Sequence, residues 1–271
     1  MISEIISKKY MDLDEICIKR KSSFDSAKPF PYIFFDDFFN NHYLDKILND
    51  FPDMSKNREA YEFKTKTDKK IISASQSFLS DQIINFFNFL NSHKFLTFLQ
   101  KLSGVETYLI PDPYLSGGGL HETKNGGFLK VHSDFRLHPS LGLDRRINVL
   151  IFLNKNWKEE WGGHLELWNK DMSKCETKIL PIFNRMVIFK TSDYTYHGHP
   201  DALNCPNTES RKSIALYYYS NGRPDSEINK DNFHHRTLFQ KRKNSVDDFR
   251  REKVEFKKIF GKFYIRKKTT Y

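Results

Sequence analysis

The stretch Lys130-Val131-His132-Ser133-Asp134-Phe135 carries His-x-Asp where the pattern reads as the end of a β-strand. Side chains at i and i+2 on a strand leave the same face, so the His132 imidazole and the Asp134 carboxylate stand side by side. Two such groups can share one divalent metal ion, and a third ligand must then come from elsewhere. Tyr196-His197-Gly198-His199-Pro200 offers it. His197 and His199, which share a face, are both candidates. Two imidazoles and one carboxylate on one side of a metal leave the remaining positions open, the donor set of oxygen chemistry at non-haem Fe(II). His-x-Asp is weak by itself in a chain with ten His, because polar pairs arise on strand surfaces by chance. Its weight comes from its company.

The first companion is Arg211, 14 residues after His197 in Arg211-Lys212-Ser213-Ile214-Ala215-Leu216-Tyr217. On a strand, Arg211, Ser213, Ala215 and Tyr217 share one face. A guanidinium that enters a barrel must meet an anion, because an unpaired buried charge is costly. The sequence places no carboxylate for it. A dicarboxylate cosubstrate would answer the need through a bidentate pair, helped by the Ser213 hydroxyl. Gly117-Gly118-Gly119, by contrast, lacks the following helix with Lys-Ser/Thr that a phosphate loop requires.

The elements that must position these groups are short strands. Thr107 to Ile110, Phe128 to His132, Arg146 to Leu153, His164 to Trp168, Lys178 to Pro181, Met186 to Phe189 and Ser213 to Tyr219 all read as strands between turn signals. Many short strands at regular spacing predict a jelly roll or barrel. Before it lie an entering strand after Pro29 and Pro31, a helix capped by Asn40, a polar loop over residues 53–70, and two apolar helices, the first opened by Ser80 and the second closed by Gly104. These helices are too apolar to stand free, so they should cover the outer face of the sheet. The expected organisation is a polar, partly flexible segment 1–28, one domain over 29–225 with its β-core at about 105–220, and a basic extension 226–271. That extension reads as a helix after Ser245 and Asp248, with Phe249, Phe256, Ile259 and Phe260 as its apolar stripe.

Composition narrows the class. The chain has 271 residues with 25 Phe and 13 Tyr, ample for a core, and no apolar run long enough to span a membrane. The start of the chain lacks the basic-then-apolar order of a secretory signal, and three cysteines without a close pairing motif fit a reducing compartment, so the expected location is the cytoplasm. The net charge of +10 is uneven: residues 230–271 hold 14 Lys/Arg against 5 Asp/Glu. A basic tail can touch nucleic acid or another anionic surface, but a solvated charged face explains it as well.

Taken together, His132-Ser133-Asp134, Arg146 to Asn154, Trp161-Gly162-Gly163-His164-Leu165-Glu166-Leu167-Trp168, Asn184 to Phe189, His197-Gly198-His199-Pro200 and Arg211-Lys212-Ser213 resemble the prolyl 4-hydroxylase-like Fe(II)/2-oxoglutarate-dependent dioxygenases. Six motifs in order cover about residues 105–220, the double-stranded β-helix (a cupin-like jelly roll) of that family. The resemblance implies that His132, Asp134 and His197 bind Fe(II), and that Arg211, with Ser213, holds the distal carboxylate of 2-oxoglutarate. The family often has Tyr where Phe152 stands, and Asn148 on the same strand is a candidate to replace that hydroxyl. O2 and 2-oxoglutarate would be consumed, succinate and CO2 released, and a hydroxyl delivered to a C–H bond, with ascorbate as an auxiliary reductant. Asp134 disfavours halogenation, since related halogenases lack that carboxylate.

The implied activity is hydroxylation of a prolyl or other amino-acid side chain of a protein or peptide. Hydroxylation of a free amino acid or another small molecule is the alternative within the same chemistry, because fold does not fix substrate. A non-catalytic metal-binding jelly roll is the alternative outside it, but a binding module has no need of His132, Asp134, His197 and Arg211 together. Nucleic-acid demethylation is permitted by the basic tail, yet no base-stacking motif accompanies it.

Overall fold

A computed structural model describes residues 2–56, 60–73, 79–230, 236–243 and 245, and the backbone of 253–259 and 262–268. The helices are α1 (Ile2–Ile5), α2 (Leu13–Ser26), α3 (Asn41–Asn49), α4 (Asp81–Leu90) and α5 (His93–Ser103). Their ends follow from local chemistry. The Asn40 side chain accepts from the amides of His42 and Tyr43, Ser80 accepts from Ile83, and Ser92 from Phe95. Gly104, at a φ of 65°, closes α5. Among the described residues, no helix is long and apolar enough to cross a membrane.

One wall of the sheet consists of β1 (Tyr32–Asp36), β4 (Ile110–Pro111), β5 (Gly119–Lys124), β7 (Asp144–Phe152), β10 (Arg185–Lys190) and β12 (Ser210–Ser220). The other consists of β6 (Phe128–Ser133), β8 (Leu165–Trp168), β9 (Cys175–Ile179), β11 (Tyr196–His199) and β13 (Leu238–Phe239). The hairpin β2 (Tyr61–Lys64) and β3 (Asp68–Ser73) joins the walls, because β3 pairs with β5 at one end and with β6 at the other. The resulting order is β1-β10-β7-β12-β5-β3-β6-β11-β8-β9, a curled sheet, with β2 beside β3, β4 beside β12 and β13 beside β6.

Alternation along β7 divides its side chains between two cores. Ile147, Val149 and Ile151 face outward onto the helices, in one cluster with Phe86, Phe95, Phe98 and Leu99. Phe152 faces inward with Leu165, Leu167, Val187 and Phe189, and Leu150 packs on that inner cluster. Each such side chain, fully buried, stabilises the fold by about 1.5–3 kcal/mol. The helices therefore cover the outer face of the jelly roll, as their apolar stripes demand.

Three segments differ from expectation. Residues 1–28 carry α1 and α2, and α2 buries Leu13, Ile16, Cys17 and Phe24; four apolar anchors among polar neighbours are too sparse a stripe to reveal a helix. Residues 61–64 and 68–73 are a hairpin rather than loop, because Asp68, Lys70 and Ile72 face the cavity and polar inward positions erase the usual alternation. The basic C-terminal helix is corrected. Residues 237–240 run along the edge of β6, and residues 253–259 and 262–268 form an antiparallel pair, β14 (Lys253–Ile259) and β15 (Lys262–Lys268), in register Ile259↔Lys262. Val254 and Phe256 alternate with charged residues, as do Phe263 and Ile265 with Tyr264 and Arg266, and β-branched and aromatic residues at period two favour strand over helix. The expected cap at Asp248 and the apolar positions Phe249 and Phe260 lie outside the described residues.

Candidate functional site

His132 and His197 face each other on paired strands, β6 and β11, in direct register. Their rings are 4.6 Å apart between centroids. Asp134, just past the end of β6, lies with His132 Nε2 at 3.6 Å and His197 Nε2 at 3.5 Å from its carboxylate oxygens. One ligand atom from each of the three residues lies within 4.8 Å of the others. The sequence spread these groups over 65 positions; one strand pairing brings them together.

The backbone fixes which nitrogen of each ring faces the carboxylate. His132 Nδ1 is 2.8 Å from the Lys130 carbonyl oxygen and His197 Nδ1 is 3.1 Å from that of Thr195. A carbonyl can only accept, so each Nδ1 carries the proton and donates, and each Nε2 lone pair is left pointing at the common centre. Burial pushes the His197 pKa down to about 4, which keeps that ring neutral. His199, the alternative ligand, also lines the cavity but does not join the cluster. Gly198 between the two is required by space: a Cβ there would sit 2.7 Å from the Leu129 carbonyl oxygen, where β11 presses on β6.

Behind Asp134 stands an ion pair that sequence reasoning missed. Arg145 Nη2 is 2.9 Å from Asp134 Oδ2, and the guanidinium lies over the Tyr217 ring at 3.3 Å and the Phe135 ring at 4.6 Å. Although burial opposes ionisation, the Arg145 charge holds the Asp134 carboxyl well below the ordinary range. Strict alternation from Asn148 would turn Arg146 inward and Arg145 outward. A bulge against β12, where the register shifts between Tyr218 and Tyr219, reverses that order. Arg146 instead donates to Ser220 and the Gly222 carbonyl. The signal available in the sequence was the doubled arginine at a strand start; nothing in it marked the bulge.

Asn148 is committed at both ends of its carboxamide. Its Nδ2 donates to Asp134 Oδ2 at 2.7 Å, and its Oδ1 accepts from Arg145 Nε at 2.8 Å. Asn148, Asp134 and Arg145 thus form a closed triangle that holds the carboxylate in place.

Arg211 and Ser213 line the same cavity on β12. Arg211 is 6% exposed, and its Nε donates to the Gly163 carbonyl at 2.7 Å. Gly163, at a φ of 74°, has no room for a side chain, since a Cβ would meet Leu203 at 2.7 Å. The guanidinium lies 4.9 Å from the Phe152 ring centre. Burial alone pushes its pKa down to about 9; no carboxylate offsets it. Two further groups act at this end, of which the sequence offered His199 only as an alternative metal ligand. Among the described residues, His199 Nδ1 and His121 Nε2 are buried without a hydrogen-bond partner. Burial, then the Lys70 and Arg211 charges, push the His121 pKa down to about 3, and His199 is held well below its ordinary value by burial and Arg211.

The whole is one cavity of about 320 Å³, lined by the triad, by Arg211, and by Phe63, Phe135, Thr237 and Phe239. Phe239, carried by β13, sets its ring 5.5 Å from that of His132. The donors fit a divalent metal held on one side only, and the buried, unmatched Arg211 fits an anion reaching toward that metal.

Known proteins show the same arrangement of fold. The sequence profile described as the 2OG-Fe(II) oxygenase superfamily matches residues 118–219. Among solved structures, a prolyl-4-hydroxylase from Pseudomonas putida aligns with a TM-score of 0.55 at 13% identity, over 78% of this chain and 100% of that one. A prolyl hydroxylase from Trichoplax adhaerens, in complex with a hypoxia inducible factor oxygen degradation domain peptide fragment, aligns at 0.56 and 16%, over 78% and 92%. HygX from Streptomyces hygroscopicus, with nickel, 2-oxoglutarate and hygromycin B bound, aligns at 0.51 and 10%, over 82% and 96%.

Proposed function

We propose that this protein is a 2-oxoglutarate- and Fe(II)-dependent dioxygenase that hydroxylates a C–H bond of an amino-acid side chain, a prolyl residue foremost, in a protein or peptide; the match of residues 118–219 to the 2OG-Fe(II) oxygenase superfamily supports that reading. The carrying observation is that the ligand atoms of His132, Asp134 and His197 converge in the cavity that also holds an unmatched Arg211. In this reading those three residues hold Fe(II), and Arg211 and Ser213 hold the distal carboxylate of 2-oxoglutarate. Fe(II) so bound supplies O2 activation coupled to conversion of the 2-oxo acid to succinate and CO2. The likeness in fold to prolyl hydroxylases, one of them with a peptide bound, supports the choice of substrate class.

The protein's own groups have separable tasks. His132 and His197 present lone pairs that their Nδ1–H···O=C bonds have already aimed. Arg145 and Asn148 keep Asp134 ionised and oriented. Arg145 Nη1 has no hydrogen-bond partner among the described residues, which suits it to meet an acceptor atom of the substrate. Phe63, Phe135 and Phe239 exclude water from the reacting carbon. A small-molecule substrate is the second reading, favoured by the modest cavity volume of about 320 Å³, which Phe63 and Phe239 from separate segments line.

The test is spectroscopic. Anaerobic protein with Fe(II) and 2-oxoglutarate should show the weak visible charge-transfer band of a chelated keto acid, and Asp134→Ala should lose it. Admitting O2 should then yield succinate slowly even without a substrate. Absence of the band in the wild type, or its persistence unchanged in Asp134→Ala, would refute the assignment.

A further inference from the structure

The far end of the cavity holds more unsatisfied hydrogen-bonding groups than Arg211 accounts for. Arg211 spends Nε on Gly163, which leaves its two terminal nitrogens for a ligand. A carboxylate has two oxygens with about four lone-pair sites, so a guanidinium fork leaves about half of them open. The wall beside Arg211 can be read from strand register. Ser213 on β12 lies opposite His121 on β5 and opposite Phe152 on β7, so the three share one inward-facing row. Phe152 contributes no polar atom. Across the cavity, β11 brings His199, which is 4% exposed and has no partner for Nδ1.

A buried imidazole nitrogen without a partner costs free energy that the fold must recover elsewhere. The charged groups acting on His199 are Arg211 and Lys70, both cations, and its other titratable neighbours are His132 and His121. The carboxylates lining the same cavity are already engaged, Asp134 by Arg145 and Asn148 and Asp68 by the Thr65 hydroxyl. An imidazole N–H aimed into the cavity beside two cations and the free end of Arg211 suits an anionic acceptor.

We propose that His199 is a cosubstrate-positioning residue: its ring N–H donates to the distal carboxylate of the keto diacid that Arg211 grips, with His121 behind it as a second polar contact. This deepens the reading of the site given above and rests on it. The pocket would thus read the distal carboxylate through two strands of opposite walls, β11 and β12. One consequence is selectivity for the diacid over a keto acid that ends in a methyl group.

The experiment uses the full chain loaded with Mn(II), which occupies such sites without turnover, and measures binding of 2-oxoglutarate and of 2-oxopentanoate by calorimetry. Manganese binding is followed by its electron paramagnetic resonance. Wild type is expected to favour the diacid. His199→Phe should weaken 2-oxoglutarate by about ten- to hundredfold, the range for a hydrogen bond to a charged group, while 2-oxopentanoate changes little. His199→Gln, which keeps an N–H, should recover part of the loss, and His121→Phe, on a different strand, should move selectivity in the same direction by less. If the His199 variants bind both acids as wild type does, or lose both in parallel, the positioning role is overturned. If wild type itself binds neither acid with Mn(II), the oxygenase reading fails and this inference falls with it.

Discussion

Replacing Arg211 by Met should separate the cost of the guanidinium from its use. Burial lowers its pKa from the ordinary arginine value to about 9, between three and four units. At 1.36 kcal/mol per unit, the folded protein without ligand carries a penalty of about 5 kcal/mol. A carboxylate that docks on the guanidinium offsets part of it. The net loss of 2-oxoglutarate affinity on removing Arg211 is therefore expected at about 2–4 kcal/mol, roughly 30- to 1000-fold in Kd, the upper end limited by desolvation of the carboxylate itself. The effect on the empty fold has the opposite sign: Arg211→Met, similar in length and apolar, should leave the melting temperature unchanged or raise it. The pH dependence follows from the direction of the shift. Below pH 9 the side chain is charged folded and unfolded, and the penalty is fully present. Above about pH 9, up to the ordinary arginine value, the unfolded chain binds the extra proton, so stability rises with pH in that window in wild type and this rise is absent from the variant. Calorimetric titration with Mn(II) present, paired with thermal melts of the apo protein, measures both signs. Unchanged 2-oxoglutarate affinity in Arg211→Met would refute the anion-docking role, and a large drop in apo stability would show that the guanidinium has a structural partner instead.

Arg145→Met leaves Asp134 buried without its cation, which should lower apo stability by about 3–5 kcal/mol. Mn(II) should restore most of the loss, because the ion supplies the missing charge; thermal melts with and without metal check this. Asn148→Ala opens the triangle with Asp134 and Arg145 and should cost about 1–3 kcal/mol in stability. Its 2-oxoglutarate affinity, read by titration, should stay near wild type if the carboxamide serves Asp134 and fall by tenfold or more if it serves the cosubstrate.

Period-two patterning and motif order made the jelly roll legible, and the caps at Asn40, Ser80 and Gly104 located three helix ends. The same reasoning brought His132, Asp134, His197 and Arg211 forward as candidates, because same-face spacing and an unmatched arginine are properties of residue type and position. It failed where local preference is weak or contradicted. The hairpin at 61–73 turns Asp68 and Lys70 inward, so hydrophobic alternation could not announce it. In the basic C-terminal region, strand and helix patterns compete over the same few aromatics.

The residues of one chain thus set the donor types and the strand faces, since chirality and the pleat allow few arrangements of each short segment. Only the tertiary structure chose between His197 and His199 as the ring that meets His132 and Asp134, because that depends on the register of β11 against β6. It alone placed Arg145 inside, through a bulge whose cause lies in the pairing with β12. It also gathered His121 and His199 around Arg211, a convergence of three strands separated by many residues. Contacts of that kind are decided when distant strands pair, and no window of sequence contains both partners.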